Sequence, residues 1–163
     1  MIRIDITSDI RSEAERRDKN AYYRYGTIAT KLTNSRRHGF IAEVACKHTL
    51  AGMEYTNENE IDLRNWMGES FDVKCHTTKQ EPNLYDVCTI PETSKIHTDH
   101  LIYCYANDNS VWIAGHIPTK TFYAISELMP VGHQGKYFTY DYARYEIIAK
   151  DLDPITSLMP IKR

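Results

Sequence analysis

Two acids and a lysine stand close together in the middle of the chain. Asp62 lies in Ile61-Asp62-Leu63, and Asp72 and Lys74 lie in Phe71-Asp72-Val73-Lys74-Cys75. Side chains alternate faces along a strand, so Asp72 and Lys74 point the same way, about 6–7 Å apart, while Phe71, Val73 and Cys75 point into a core. A hairpin turning near Met67-Gly68 sets Asp62 roughly opposite Asp72. Two carboxylates and an ammonium then share one patch, which suits a divalent metal and an attacking water. Upstream, Glu43 sits in Phe40-Ile41-Ala42-Glu43-Val44-Ala45-Cys46. A carboxylate in so apolar a helix is costly unless a metal or a cation pairs with it, or unless it lies at the helix edge in a surface ion pair.

These residues need elements to hold them. Residues 9–32 read as a helix capped by Ser8-Asp9, with Ile10, Ala14, Ala21, Tyr25, Ile28 and Leu32 on one face and Arg17 interrupting the stripe. The run 34–39 reads as a break, followed by a second helix over about 40–50 that ends near Gly52. Strands are expected around 59–65 and 70–76, then over 85–90 after a loop at Glu81-Pro82-Asn83. Leu101 to Ala106 is apolar on both faces and so central, and the turn at 107–110 returns the chain as Val111 to Ile117. A helix from Pro118-Thr119 through Leu128, one or two strands within Tyr137 to Ile148, and a loosely packed tail at 151–155 complete the order. The expected fold is α/β: one domain with a central mixed sheet flanked by helices, made of N-terminal helices (9–52), a sheet core (59–117) and a C-terminal helix and strands (118–163).

Composition narrows the function classes. The chain has 163 residues and a net charge of −2, so it is not coated in positive charge. The charge is uneven: residues 1–50 carry ten Lys/Arg against six Asp/Glu, and the remainder ten against sixteen. Arg17, Arg24, Arg36 and Arg37 belong to the basic half and could face a phosphate backbone, or simply solvent. No apolar run approaches the length of a membrane span, and Met1 to Asp5 does not read as a signal peptide, so a cytoplasmic protein with no membrane contact is expected. The four cysteines, Cys46, Cys75, Cys88 and Cys104, lie in apolar segments and read as free buried thiols. Cys46-x-His48, Cys75-His76 and His97-x-x-His100 match no common zinc spacing. The aromatic sets at 22–25 and 137–145 could stack on bases, but packing explains them equally well.

The order helix-Glu43, strand-Asp62, strand-Asp72-x-Lys74, then further strands and a helix resembles the PD-(D/E)XK nuclease superfamily, with its restriction-endonuclease-like fold, over roughly residues 38–128. The pair Asp99 to Tyr105 and Val111 to Ile117 also resembles the strands that follow the active site in such nucleases. Ile61 stands where proline usually precedes the first acid, and Gln80 and Tyr85 are one step too far apart for the Gln-x-x-x-Tyr subgroup. The resemblance implies a Mg²⁺- or Mn²⁺-dependent deoxyribonuclease, an endonuclease rather than an exonuclease. Asp62, Asp72 and the Val73 carbonyl would hold the metal. Lys74 would orient the attacking water and offset phosphate charge, and Glu43 would assist through a coordinated water or a second ion. His76, on the Asp72/Lys74 face, would line the cleft or meet phosphate. DNA is the implied partner, and a homodimer is one way to cut both strands. The other readings are a non-catalytic nucleic-acid-binding module on the same scaffold and a protein-interaction domain.

Overall fold

The computed structural model describes residues 1–25, 34–56, 61–135 and 139–158, and of residues 21–25, 34 and 35 the backbone alone. In chain order the elements are β1 (Ile2–Asp5), α1 (Ser8–Tyr25), α2 (Asn34–Thr49), β2 (Glu54–Tyr55), β3 (Leu63–Arg64), β4 (Ser70–Thr77), β5 (Val87–Pro91), β6 (His100–Ala106), β7 (Ser110–Pro118), α3 (Thr119–Ile125), β8 (Glu127–Met129) and β9 (Arg144–Ile148). Two short 3₁₀ turns, Ala149–Asp151 and Ile155–Leu158, follow. The fold is mixed α/β. Six strands form one sheet in the order β1-β7-β6-β4-β3-β2, and β5-β9-β8 form a second. Every pairing is antiparallel except β4 with β6.

β6 is central, as its two-sided apolar sequence requires. Its Ile102, Cys104 and Ala106 join Phe71 and Val73 of β4 and Ile41, Val44 and Ala45 of α2 in one core. Its Leu101, Tyr103 and Tyr105 join a second core with Trp112 and Ala114 of β7, Phe122 of α3 and Cys88, Ile90 and Ile147 of the smaller sheet. The tyrosines also carry that sheet. Thr89 N–H donates to the Tyr103 hydroxyl (2.7 Å), which donates to the Thr89 carbonyl (3.0 Å), and the Tyr105 hydroxyl donates to the Val87 carbonyl (2.9 Å). Phenols thus satisfy backbone groups along the edge of β5 that no strand covers.

Several boundaries differ from the sequence expectation. α2 begins at Asn34 and runs through 34–39 instead of starting near Phe40. A mid-helix glycine costs about 1 kcal/mol, but tertiary partners hold this turn: Arg36 Nε lies 2.7 Å from Asp18 Oδ1, and buried His38 places Nδ1 3.0 Å from Thr77 Oγ1. α1 matches over 8–25, while the expected stretch 26–32 lies outside the described residues. α3 stops at Ile125 because Ser126 is extended and 127–129 pair with β9. Of the expected strand region 137–148, residues 144–148 form β9, and 136–138 lie outside the described residues. Tyr85 and Asp86 precede β5 rather than belonging to it. The four cysteines are free, and Cys46 and Cys104 bring their sulfurs to 3.6 Å. Among the described residues no helix is long and apolar enough to cross a membrane.

The tail is not loosely packed. Leu152 and Ile155 are buried, and Asp153 and His116 exchange backbone hydrogen bonds of 2.8 and 3.0 Å. This approach leaves no room for a side chain at Gly115, where a Cβ would stand 2.5 Å from the Asp153 carbonyl oxygen and 2.8 Å from Leu152 Cβ. Gly115→Ala is therefore expected to destabilise the protein by about 2 kcal/mol, read as a lowered urea midpoint, whereas Gly39→Ala, with nothing near its Cβ, is expected to raise it.

Candidate active site

The site begins where a strand pairing ends. Leu63 faces Phe71 and Arg64 faces Ser70, so one further step of the same register sets Asp62 across from Asp72. The connecting turn fits its sequence: Asn65 Oδ1 accepts the amides of Met67 and Glu69, each at 3.0 Å, and Gly68 supplies the positive φ of 86°. Asp62 N–H still donates to the Phe71 carbonyl at 3.0 Å. The next amide of β4, Val73 N–H, donates instead to the Asp62 carboxylate, at 2.7 Å from Oδ2. A side chain thus replaces the departing strand and is held rigidly against β4.

β4 alternates as its sequence requires. Phe71 and Val73 enter the helix-side core, and Asp72 and Lys74 share the opposite face, with Lys74 Nζ 2.7 Å from Asp72 Oδ2. The Asp72 side chain is only 11% exposed and that of Lys74 31%. Glu43 arrives from α2, between buried Ala42 and Val44, and is 12% exposed. Its partner is Arg17 of α1, which donates to Glu43 Oε2 from Nη2 (2.7 Å) and Nε (3.2 Å). The guanidinium in turn lies 3.7 Å over the Tyr55 ring. The arginine that interrupts the apolar stripe of α1 therefore answers the glutamate that interrupts α2.

The charges feel one another. Burial pushes Asp62 well above the usual carboxylate range, Glu43 and Asp72 push it further, and the Val73 amide and Lys74 pull it back. Burial also raises Glu43, opposed by Arg17 and Lys74 and reinforced by Asp72. Residues from α1, from α2, from the approach to β3 and from β4 thus form one electrostatic unit of three carboxylates and two cations. Together with the Val73 carbonyl it offers hard oxygens and surplus negative charge, which suit a hard divalent cation. Among the described residues no three His, Cys, Asp or Glu side chains make a ready cage. Magnesium sites commonly use one or two carboxylates, with water and substrate phosphate completing the shell, so the donor chemistry fits without such a cage.

The remaining candidates are dispersed. Arg36 pairs with Asp18, and Arg37 lies 4.0 Å from Asp108, beside an open cleft of about 400 Å³ between α1 and α2. The side chain of Arg24 lies outside the described residues. His76 continues the Asp72/Lys74 row and packs edge-on to Tyr105; burial and the nearby charge of Arg144 lower its pKa. Tyr123 of α3 escaped the sequence reading. Burial and Tyr145 raise its pKa, and the charges of Lys74 and Asp72 act on it as well. Nothing in its spacing signals this, because the position depends on how α3 docks.

Two outcomes follow. Arg17→Met leaves Glu43 in a largely apolar setting without its cation, and a loss of about 2 kcal/mol is expected in urea unfolding, mostly recovered in Arg17→Met/Glu43→Leu. Asp62 has a native pKa above its unfolded value, so the stability it contributes is full below the ordinary carboxylate pKa and is lost as pH rises towards the native value. Asp62→Asn keeps an acceptor for Val73 N–H but no charge. In metal-free buffer it should match the native protein's stability near about pH 4 and exceed it increasingly towards neutrality. No family model matches the chain, and no curated protein matches it.

Proposed function

We propose that the protein is a metal-dependent nuclease of the PD-(D/E)XK type, with a restriction-endonuclease-like fold, hydrolysing phosphodiester bonds in DNA. One observation supports the reading: Glu43 of α2, Asp62 before β3, and Asp72 and Lys74 together on β4 lie within electrostatic reach of one another, in the order the resemblance requires. Asp62, Asp72 and the Val73 carbonyl are the groups that would hold Mg²⁺ or Mn²⁺. When bound, such an ion lowers the pKa of water and offsets charge on the phosphoryl oxygens and the leaving oxygen.

The chain's own residues supply the rest. Lys74 sits as an ammonium on Asp72 Oδ2, so it has charge and hydrogen-bond donors to offer rather than a lone pair. It turns from Asp72 to a non-bridging phosphate oxygen and stabilises charge that grows in the transition state. Glu43 uses Oε2 for Arg17, which leaves Oε1 to accept a proton from the attacking water. Its raised pKa moves it towards the range in which a general base works near neutral pH. Arg17 holds the carboxylate in place through its fork and its stack on Tyr55. One such centre cuts one strand; cutting both requires a second copy.

A second reading has its own observation: Lys74 on Asp72 and Arg17 on Glu43 neutralise two of the acids internally, as a purely structural network would. Cleavage of plasmid and single-stranded oligonucleotide with Mg²⁺ or Mn²⁺ separates the two. The nuclease is expected to turn over, to stop in EDTA, and to lose about 10²-fold or more in Asp72→Ala and Lys74→Ala. Undiminished cleavage by a clean Asp72→Ala preparation would falsify the assignment. Absence of turnover with every divalent metal leaves the structural network.

A further inference from the structure

An open cleft of about 400 Å³ is cut into the helical layer, lined by Arg11, Ala14, Glu15, Asp18 and Lys19 of α1 and by Arg37, Phe40 and Ile41 of α2. Its size falls within the roughly 300–1,000 Å³ usual for small-molecule sites. With 3.6 residues per turn, these positions centre more than about 100° round each helix from Arg17 and Glu43. The cleft and the acidic centre therefore use different faces of both helices.

The lining is apolar below and charged above. Ala14 and Ile41 are buried and Phe40 is half-buried. Ala14 contributes only a methyl group, which leaves room for a flat body that the Phe40 ring can face. The charged members do not balance. Asp18 is taken by Arg36, whose Nε lies 2.7 Å from Oδ1. With that pair set aside, Arg11, Lys19 and Arg37 stand against Glu15 alone. Lys19 is exposed and has no hydrogen-bond or ion-pair partner among the described residues.

Two of these cations meet at one end. Arg11 Nη2 donates to the Asp108 carbonyl at 3.0 Å, and Arg37 Nη1 stands 4.0 Å from Asp108 Oδ1, beyond hydrogen-bond reach. One residue of the β6–β7 turn thus gathers both guanidiniums. The Asp108 side chain is 72% exposed and that of Arg37 36%, so water screens the pair. Arg11 spends one N–H on a carbonyl, and neither arginine is hydrogen-bonded to a carboxylate among the described residues. Two adjacent planar forks suit an anion with several oxygens and more than one charge, which describes a phosphate monoester better than a carboxylate.

We infer that the cleft binds a small aromatic phosphate monoester, the class that includes the nucleoside monophosphates. Arg11 and Arg37 hold the phosphate, and the ring lies against Ala14, Phe40 and Ile41. The inference does not draw on the nuclease reading. Isothermal titration calorimetry of the full chain in EDTA and low salt, with thymidine 5′-monophosphate as the probe, tests it. A dissociation constant on the order of 100 μM is expected, at least about tenfold tighter than for thymidine, inorganic phosphate or octanoate. Arg37→Gln is expected to weaken binding about tenfold. Asp108→Asn removes the carboxylate that competes for Arg37 and is expected to tighten binding about threefold. Lys74→Ala, on the face of the acidic centre, is expected to bind the nucleotide as the native protein does. No heat of binding at about 1 mM nucleotide, equal affinity for octanoate, or binding that is lost in Lys74→Ala and kept in Arg37→Gln overturns the inference. If Arg37→Gln does not fold, Asp108→Asn, at an exposed position, decides: unchanged or weaker binding overturns it. Failure of cleavage with every metal leaves the cleft standing, and cleavage without nucleotide binding in EDTA removes the cleft and leaves the nuclease.

Discussion

The hydrogen bond from Val73 N–H to the Asp62 carboxylate decides where the sheet ends and the site begins. A buried amide must find an acceptor. If β3 continued alongside β4, a backbone carbonyl would serve, and the edge of β4 would be closed by another strand. Here Asp62 Oδ2 accepts at 2.7 Å and β3 contributes only Leu63 and Arg64 to the ladder. The substitution does two things together. It frees the edge of β4 beyond Asp72, so that a side chain from the helix layer and side chains from the opposite face can meet there. It also fixes a carboxylate in a place where its charge is poorly solvated.

That placement explains the energetics of the cluster. Asp62, Asp72 and Glu43 repel one another in a setting that already disfavours charge, and Lys74 and Arg17 relieve only part of this. A fold selected for stability alone would fill the position with apolar groups, since buried ion pairs seldom surpass well-packed hydrocarbon. Three acids within electrostatic reach of one another would suit the proposed function, in which a cation or a developing charge is stabilised by groups already placed during folding. The cost shows in Asp62 and Glu43, whose carboxyl groups are pushed above the usual range.

The legible part of the site was the part set by local geometry. Alternation alone placed Asp72 and Lys74 together and sent Phe71 and Val73 inward. A turn near Met67-Gly68 carried Asp62 to Asp72; that Asn65 accepts two amides within it was seen only in the structure. Glu43 was legible as a carboxylate in an apolar helix, and Arg17 as a break in the stripe of another; that each answers the other requires α1 against α2, which no spacing encodes. The same holds where elements were misjudged. Residues 34–39 are helical because Asp18 and Thr77 supply partners for Arg36 and His38. Residues 127–129 are a strand because β9 lies beside them. The tail is fixed by His116 and by a glycine that lets Asp153 approach. Tyr103 and Tyr105 read as core residues of a central strand, and nothing in sequence said that their hydroxyls would carry a second sheet.

The two cations of the cluster are not equivalent, and the difference bears on how the site would respond to an incoming phosphate. Arg17 is forked onto one oxygen of Glu43 and pressed on Tyr55; its planar group has little freedom, and moving it would strand a buried acid. Lys74 has a single contact of 2.7 Å to Asp72, a flexible stem and nearly a third of its side chain in solvent. When a phosphate or a metal competes for this corner, the ammonium is the group that can swing without unpacking anything. On the proposed function, its departure would free Asp72 Oδ2 as a ligand while the same charge became available to the phosphate. Arginine in place of Lys74 would keep the charge but bring a larger planar group, so on the proposed function mobility would matter as much as positive charge.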